Sequence, residues 1–122
     1  MTVGTKTWWG GNLHGVRKHP IVLNVPNRVV YSVHEYCLDV DKTAPWFHSP
    51  TYPDNLRPRW DFYFGFIFQE QIAPIWIGEY GTAFIYDQDY SWMNMWVNYT
   101  NGYFRSDEEN DLTEGQLGTN RF

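Results

Sequence analysis

Two short apolar segments, each followed at once by ionisable or hydrogen-bonding side chains, constrain this chain more than any other feature. The first is RVVYSV at residues 28–33, followed by the triplet HEY at 34–36. The second is IAPIWI at residues 72–77, followed closely by Glu79. The first is rich in β-branched residues and apolar on both alternating faces, the composition of a strand that is covered on both sides. We therefore predict two buried strands of an α/β fold.

Helical patterns fill the positions between and after these strands. In residues 57–71, RPRWDFYFGFIFQEQ, the apolar side chains recur at the spacing of one helix face. A similar stripe predicts a second helix at roughly 88–100. The order strand, long loop, helix, strand, helix is a βαβα arrangement, which implies parallel strands and a right-handed crossover. The 122 residues suffice for one domain, and the polar, acidic stretch 102–122 is predicted to be loop or disordered.

Charge and cysteine content restrict the classes of function. The formal net charge is −5, whereas nucleic-acid binding requires clustered Lys and Arg. No run of 18 apolar residues predicts a membrane span, and the first twelve residues lack the pattern of a signal peptide. Cys37 is the single cysteine, and the four histidines have none of the short spacings of zinc ligands, so the sequence predicts neither metal nor cofactor. The aromatic content of 20% suits a core or a surface that stacks on sugar rings.

The polar residues after the two strands are the candidates for chemistry. Functional groups of parallel α/β folds collect at the carboxyl ends of the strands, so we expect Glu79 to share one rim with the HEY triplet. Strand alternation places His34 and Tyr36 on one face and turns Glu35 to the other, which favours the first two as site residues. Structural roles stay open here, because a Glu after a strand is often a helix cap and a His-x-Tyr pair is often structural.

Four segments of the chain resemble glycoside hydrolase family 5 cellulases, which are β-1,4-endoglucanases built on a (β/α)8 barrel. The segments are WWGGNLHGV, PIVLNVPNRVVYSVHEY, APWFHSPTYPDNLRPRWDFYFGFIF and QEQIAPIWIGEYGT, in the order and spacing of the family, from about Trp8 to Thr82. The resemblance implies a partial (β/α)8 TIM barrel of about two βα units, with residues 1–122 as one C-terminal part of a catalytic domain. A complete barrel needs about 250 residues.

The same resemblance implies roles for six residues. Glu79 would be the catalytic nucleophile of a retaining double displacement, Tyr36 would hydrogen-bond it, and His34 would contact sugar hydroxyls. An aromatic contact with the sugar would come from Trp8 or Trp9 in the WWGG segment, and Trp46 would be a candidate for the wall of the cleft. The implied partner is an extracellular β-glucan, bound without metal or cofactor.

The resemblance also implies a component that this sequence lacks. The acid/base glutamate of the family lies in an Asn-Glu-Pro motif on an earlier strand, and no such triplet occurs here. We therefore expect cellulose hydrolysis only as part of a larger barrel, and self-association of the isolated chain through unpaired strands. Two alternatives stay open: a non-catalytic β-glucan-binding fragment and an inactive truncated gene product.

Overall fold

The computed structural model describes residues 7–102. Its strands are β1 (Tyr31–Tyr36) and β2 (Ile75–Gly81), and its helices are α1 (Leu56–Trp60), α2 (Phe66–Gln69) and α3 (Asp87–Thr100). A π-helical turn, Asp61–Gly65, joins α1 to α2, and short 3-10 turns span His14–Arg17 and Pro45–His48. The strands pair in parallel as a two-stranded sheet, which confirms the predicted βαβα order.

Both strands lie about three residues later than predicted, so the predicted bounds 28–33 and 72–77 are wrong. Pro74 has no N–H to donate, and β2 accordingly begins one residue after it. The carbonyl of Pro74 instead accepts a hydrogen bond from the amide of Tyr31, where β1 begins. The polar triplet 34–36 therefore belongs to a strand and does not follow one.

Within the described residues β1 is buried on one face only, whereas coverage of both faces was predicted. No residue of β2 is fully buried, so the prediction of a second buried strand is wrong. Tyr31, Val33 and Glu35 are buried against the helical side of the sheet. The opposite surface, which we call the open face, carries the side chains of Ser32, His34, Tyr36, Trp76 and Glu79. The Trp76 side chain is 66% exposed there. The helices that connect the two strands pack on one side of the sheet only, which explains why the other face of β1 is not buried.

The predicted helices are confirmed with small changes of boundary. Helical structure runs from 56 to 69, against a predicted 57–71, and α3 begins one residue earlier than expected. Aromatic side chains fill the space between them: the rings of Trp92 and Trp96 stack with centroids 5.7 Å apart, and Trp60 meets Trp96 edge-on at 5.0 Å. All three are almost fully buried, so much of the high tryptophan content serves the core.

Two polar contacts join the carboxyl ends of the strands to each other. The Asp39 carboxylate, just after β1, accepts hydrogen bonds from the Thr82 hydroxyl at 3.1 Å and the Ala83 amide at 2.8 Å, just after β2. These bonds fix the rim at which the candidate site lies. The predicted loop or disorder at 102–122 falls, beyond Gly102, outside the described residues. Within residues 7–102, no helix is both long enough and apolar enough to cross a bilayer.

We expect the isolated chain to self-associate through the open face and the outer strand edges, because in the part of the chain that the structure describes the Trp76 ring is exposed and each strand has one unpaired edge. Light scattering at rising concentration should show an apparent mass above that of the monomer, and Trp76→Ser should lower it. Trp9→Ser is the matched control, because Trp9 is 94% exposed but lies outside the sheet. A monodisperse wild-type monomer would contradict this expectation.

Candidate active site

A β-bulge in β2 determines which way Glu79 points. Val33 pairs with Ile77, but the next residue, His34, pairs with Glu79, so Gly78 is an extra residue in the ladder. In uninterrupted alternation Glu79 would share the core-facing side of Ile77. The extra residue reverses the alternation and brings the carboxylate to the open face.

Side chains of neighbouring residues lie close to the position that a side chain at Gly78 would occupy. A Cβ at position 78 would lie 2.9 Å from Nε2 of His34 and would also collide with the Ser32 hydroxyl. The imidazole therefore occupies the space that a side chain would fill, and it lies next to Glu79 as a result.

Glu79 makes two contacts across the strand pair. The Tyr36 hydroxyl donates a hydrogen bond to Oε2 of Glu79, and Nδ1 of His34 lies 3.8 Å from the same oxygen. The hydrogen bond to Glu79 raises the pKa of the Tyr36 hydroxyl above its ordinary value. The Glu79 side chain is 58% exposed, and Oε1 has no hydrogen bond within residues 7–102. The structure thus brings together His34, Tyr36 and Glu79, as the strand pattern predicted, and leaves one carboxylate oxygen accessible.

The segment WWGG packs beside this group. The amide of His34 donates to the carbonyl of Gly10 at 3.2 Å, and the amide of Gly11 donates to that of Trp8 at 2.9 Å. Gly10 has φ of +80°, and a Cβ there would lie 2.9 Å from Cγ of His34, so this position requires glycine. The turn places the Trp8 ring edge-on to Tyr36, with centroids 6.0 Å apart.

The three tryptophans predicted to contact sugar differ in exposure. Trp9 is 94% exposed and Trp8 is partly buried beside Tyr36, whereas Trp46 is 8% exposed. The Trp46 ring meets Trp8 at 5.5 Å, and the guanidinium of Arg59 lies 3.7 Å above it. Trp46 is therefore largely buried behind Trp8, although it also lines a pocket with Pro58 and Phe62, and its predicted contact with sugar stays a prediction. The 3-10 turn that carries it directs the ring inward.

Glu35 is a buried residue that the sequence argument set aside. It faces away from His34 and Tyr36, as the alternation predicted, and is 1% exposed. Burial raises its pKa to about 7, against the opposing effects of Arg59 and a hydrogen bond from Trp8. Nε1 of Trp8 donates to Oε1 of Glu35 at 2.9 Å. The signal available in the sequence was a carboxylate at a core-facing position of a strand. Its hydrogen-bond partner, Trp8, lies 27 residues earlier in the chain, so the local pattern does not reveal the contact.

A second polar cluster lies near the strand ends, where the sequence predicted no group of metal-ligating residues. One ligand atom each of Cys37, Asp39 and Asp89 lies within 4.8 Å of the others. Besides the Asp39 bonds described above, Oδ2 of Asp89 accepts the amides of Ile85 and Tyr86. Burial raises the pKa of the Cys37 thiol, which favours its protonated form. These bonds connect the strand ends to the start of α3, and we interpret the cluster as structural.

We expect Gly78→Ala to destabilise the chain by about 1–3 kcal/mol, because the new methyl group must displace His34 and Ser32. Gly81→Ala, three residues along the same strand, is the control. A Cβ there has no atom within 4 Å, and its effect should stay within about 0.5 kcal/mol. Chemical unfolding of both variants tests the difference, and equal stabilities would argue against the bulge as described.

The raised pKa of Glu35 predicts that folding stability falls as pH rises from 4.5 to about 7. Below pH 4.5 the carboxyl is protonated in both folded and unfolded chains. Above pH 7 it is ionised in both, and the folded state bears a cost of about 3 kcal/mol. Glu35→Gln should remove this slope in unfolding experiments at pH 5 and pH 8. Glu70→Gln, at an exposed carboxylate, should retain it, and a wild-type stability independent of pH would refute the assignment.

Comparison with known proteins identifies the family. The family model described as cellulase (glycosyl hydrolase family 5) matches residues 1–107. An endoglucanase of Paenibacillus polymyxa is 46% identical over 94 residues, which are 75% of this chain and 23% of that protein.

Two solved structures agree with this result. The hyperthermophilic endocellulase of the archaeon Pyrococcus horikoshii aligns with a TM-score of 0.70 at 35% identity, over 82% of this chain and 27% of that one. An alanine variant of the endocellulase from the same organism, in complex with cellotetraose, aligns with a TM-score of 0.69 at 34% identity, over 78% and 26%. This chain therefore spans about a quarter of the length of each of these relatives. The family match over most of its residues shows that the chain belongs to the cellulases of glycosyl hydrolase family 5.

Proposed function

We propose that this chain supplies the nucleophile side of an endo-β-1,4-glucanase active site, within a complete (β/α)8 barrel. The observation that supports this most is the arrangement at the strand ends. Glu79 projects from the open face, the Tyr36 hydroxyl donates to one of its oxygens, and His34 lies beside that same oxygen. The family membership supports β-1,4-glucan as the substrate class.

The proposed reaction is a double displacement with retention. Ionised Glu79 attacks the anomeric carbon, the glycosidic bond breaks, and a covalent glycosyl-enzyme forms. The departing oxygen takes its proton from a second carboxylic acid, which then removes a proton from the water that hydrolyses the intermediate. Retaining enzymes hold the two carboxyl groups about 5–5.5 Å apart. No Asn-Glu-Pro triplet occurs in this sequence, so another part of the barrel would supply the second group.

Tyr36 and His34 have separate tasks in this proposal. The Tyr36 hydroxyl holds Oε2 of Glu79, so that Oε1 is directed to the sugar. His34 is held by the bulge on one side and by the Gly10 turn on the other, where its ring can hydrogen-bond a sugar hydroxyl. Both residues act by orienting groups, which lowers the entropic part of the barrier.

Binding of the glucan would depend on aromatic surface, because the substrate carries no charge. The Trp9 ring is open to a stacked sugar, and Trp8 would form the wall beside Tyr36. The related endocellulase solved with cellotetraose supports an oligosaccharide of this kind as ligand. Since cellulose is too large to enter a cell, the proposed activity is extracellular.

The second candidate function is binding of β-glucan without hydrolysis. Two observations favour it: the sequence lacks the Asn-Glu-Pro carboxylate, and the exposed Trp9 offers a stacking surface. The two candidates differ in whether Glu79 can form a bond to the sugar.

A fluorinated glycoside with a good leaving group tests the nucleophile in this chain directly. In 2,4-dinitrophenyl 2-deoxy-2-fluoro-β-cellobioside the dinitrophenolate departs with its electron pair and needs no proton from an acid. Glu79 should therefore displace it and remain glycosylated, because the fluorine slows hydrolysis of the intermediate. Mass spectrometry of the intact chain and of its peptides would show one added fluorocellobiosyl group, located on Glu79.

The matched variants decide the outcome. Glu79→Gln should abolish labelling, whereas Glu70→Gln, at a surface glutamate paired with Arg17, should be labelled like the wild type. Labelling at another residue would refute the assignment of Glu79. Binding of cellotetraose in titration calorimetry with no labelling would favour the second candidate function.

A further inference from the structure

We propose that Glu35 is a positioning residue of the active site: its carboxyl group fixes the indole of Trp8, and Trp8 in turn holds the ring of Tyr36. The inference rests on the function proposed above, since Tyr36 acts there through Glu79. It assigns a role to a buried carboxylate that the proposed reaction leaves unused.

The first link is the hydrogen bond from Nε1 of Trp8 to Oε1 of Glu35, at 2.9 Å. Glu35 is 1% exposed, so water does not compete for this carboxyl group. Above about pH 7, where the buried Glu35 is ionised, this hydrogen bond is roughly twice as strong as one between neutral groups. The indole therefore has one strong polar anchor inside the protein.

The second link is the ring contact between Trp8 and Tyr36. Their planes meet at 88° with centroids 6.0 Å apart, and Trp8 meets Trp46 on its other side at 5.5 Å and 88°. Edge contacts of this kind limit the position of a ring but permit it to rotate and slide. The hydrogen bond to Glu35 removes that freedom, because only one orientation of the indole satisfies it.

The third link is the Tyr36 hydroxyl, which donates to Oε2 of Glu79. Glu35 and Glu79 lie on opposite faces of the sheet, so the carboxylates do not interact through a shared hydrogen bond. The side-chain contacts that connect Glu35 to the site run through Trp8 and Tyr36.

A purely structural role explains the burial of Glu35 poorly. Burial raises its pKa to about 7, so the ionised group opposes folding, and an apolar side chain of similar size would pack there without that cost. The groups that face it are the Arg59 guanidinium and the indoles of Trp8 and Trp60. Arg59 is itself engaged with the ring faces of Trp46 and Tyr63. What an apolar residue could not provide is the acceptor for Trp8.

Nuclear magnetic resonance of the full 122-residue chain, below the concentration at which it associates, tests the proposal. The indole N–H signal of Trp8 is assigned by its loss in Trp8→Phe. In the wild type this proton should exchange slowly, and its chemical shift should titrate with a midpoint near pH 7. A nuclear Overhauser contact should join the rings of Trp8 and Tyr36.

Two substitutions separate the acceptor from the charge. Glu35→Gln has the same shape and a neutral acceptor, so it should preserve the ring contact and abolish the titration. Glu35→Leu removes the acceptor, so indole exchange should accelerate by about tenfold or more, the effect of losing one hydrogen bond to a charged group. The contact between Trp8 and Tyr36 should then disappear.

Asp89→Asn is the control for loss of stability alone, because Asp89 is equally buried but caps α3. It should leave the exchange of the Trp8 indole and the ring contact unchanged. If Glu35→Leu also left them unchanged, or if Asp89→Asn reproduced its effects, the positioning role would be overturned.

The rate of labelling by the fluorocellobioside connects the inference to the site. Glu35→Leu should slow labelling of Glu79 by about tenfold, and Glu35→Gln should restore it to within about twofold of the wild type. Unchanged labelling in Glu35→Leu would refute the influence on the site. If the wild type is not labelled at all, the proposed nucleophile fails, whereas the resonance measurements still decide whether Glu35 holds Trp8.

Discussion

One extra residue in β2 determines where the chemistry of this chain lies. Without the bulge at Gly78, Glu79 would point toward the helices and share their side of the sheet with Glu35. Two carboxylates on that buried side would repel each other and oppose folding. The bulge instead separates them onto opposite faces. The absent side chain of Gly78 then leaves room for His34, and the Tyr36 hydroxyl reaches the Glu79 carboxylate.

The two faces of the sheet consequently have different tasks. The helical side is filled by aromatic rings, among them the stacked pair Trp92 and Trp96. The open face carries the polar groups of the site, and its exposed Trp76 marks a surface that the rest of a barrel would cover. Hydrogen bonds from Thr82 and Ala83 to Asp39 link the carboxyl ends of the two strands and fix their positions relative to each other.

The order of the elements and the family could be predicted from the sequence. The alternation of residues 34–36 also correctly predicted that Glu35 faces the opposite side of the sheet from His34 and Tyr36. The strand boundaries were wrong because pairing begins only beyond Pro74, which apolar composition does not reveal. A glycine inside a strand pattern could have indicated the bulge. The hydrogen bond between Trp8 and Glu35 and the burial of Trp46 depend on contacts between distant segments, and no local pattern encodes them.

The two glycines that approach His34 have a consequence for recognition. A Cβ at Gly10 would lie 2.9 Å from Cγ of the ring and a Cβ at Gly78 would lie 2.9 Å from Nε2, so the imidazole fits between two positions that carry no side chain. Such a ring has lost its rotameric entropy during folding, before any ligand arrives. A ligand that it contacts must match a fixed direction, because the ring cannot turn to meet it. In the proposed glucan site, sugars that differ only in the orientation of one hydroxyl would therefore be distinguished by a ring direction that is set before binding.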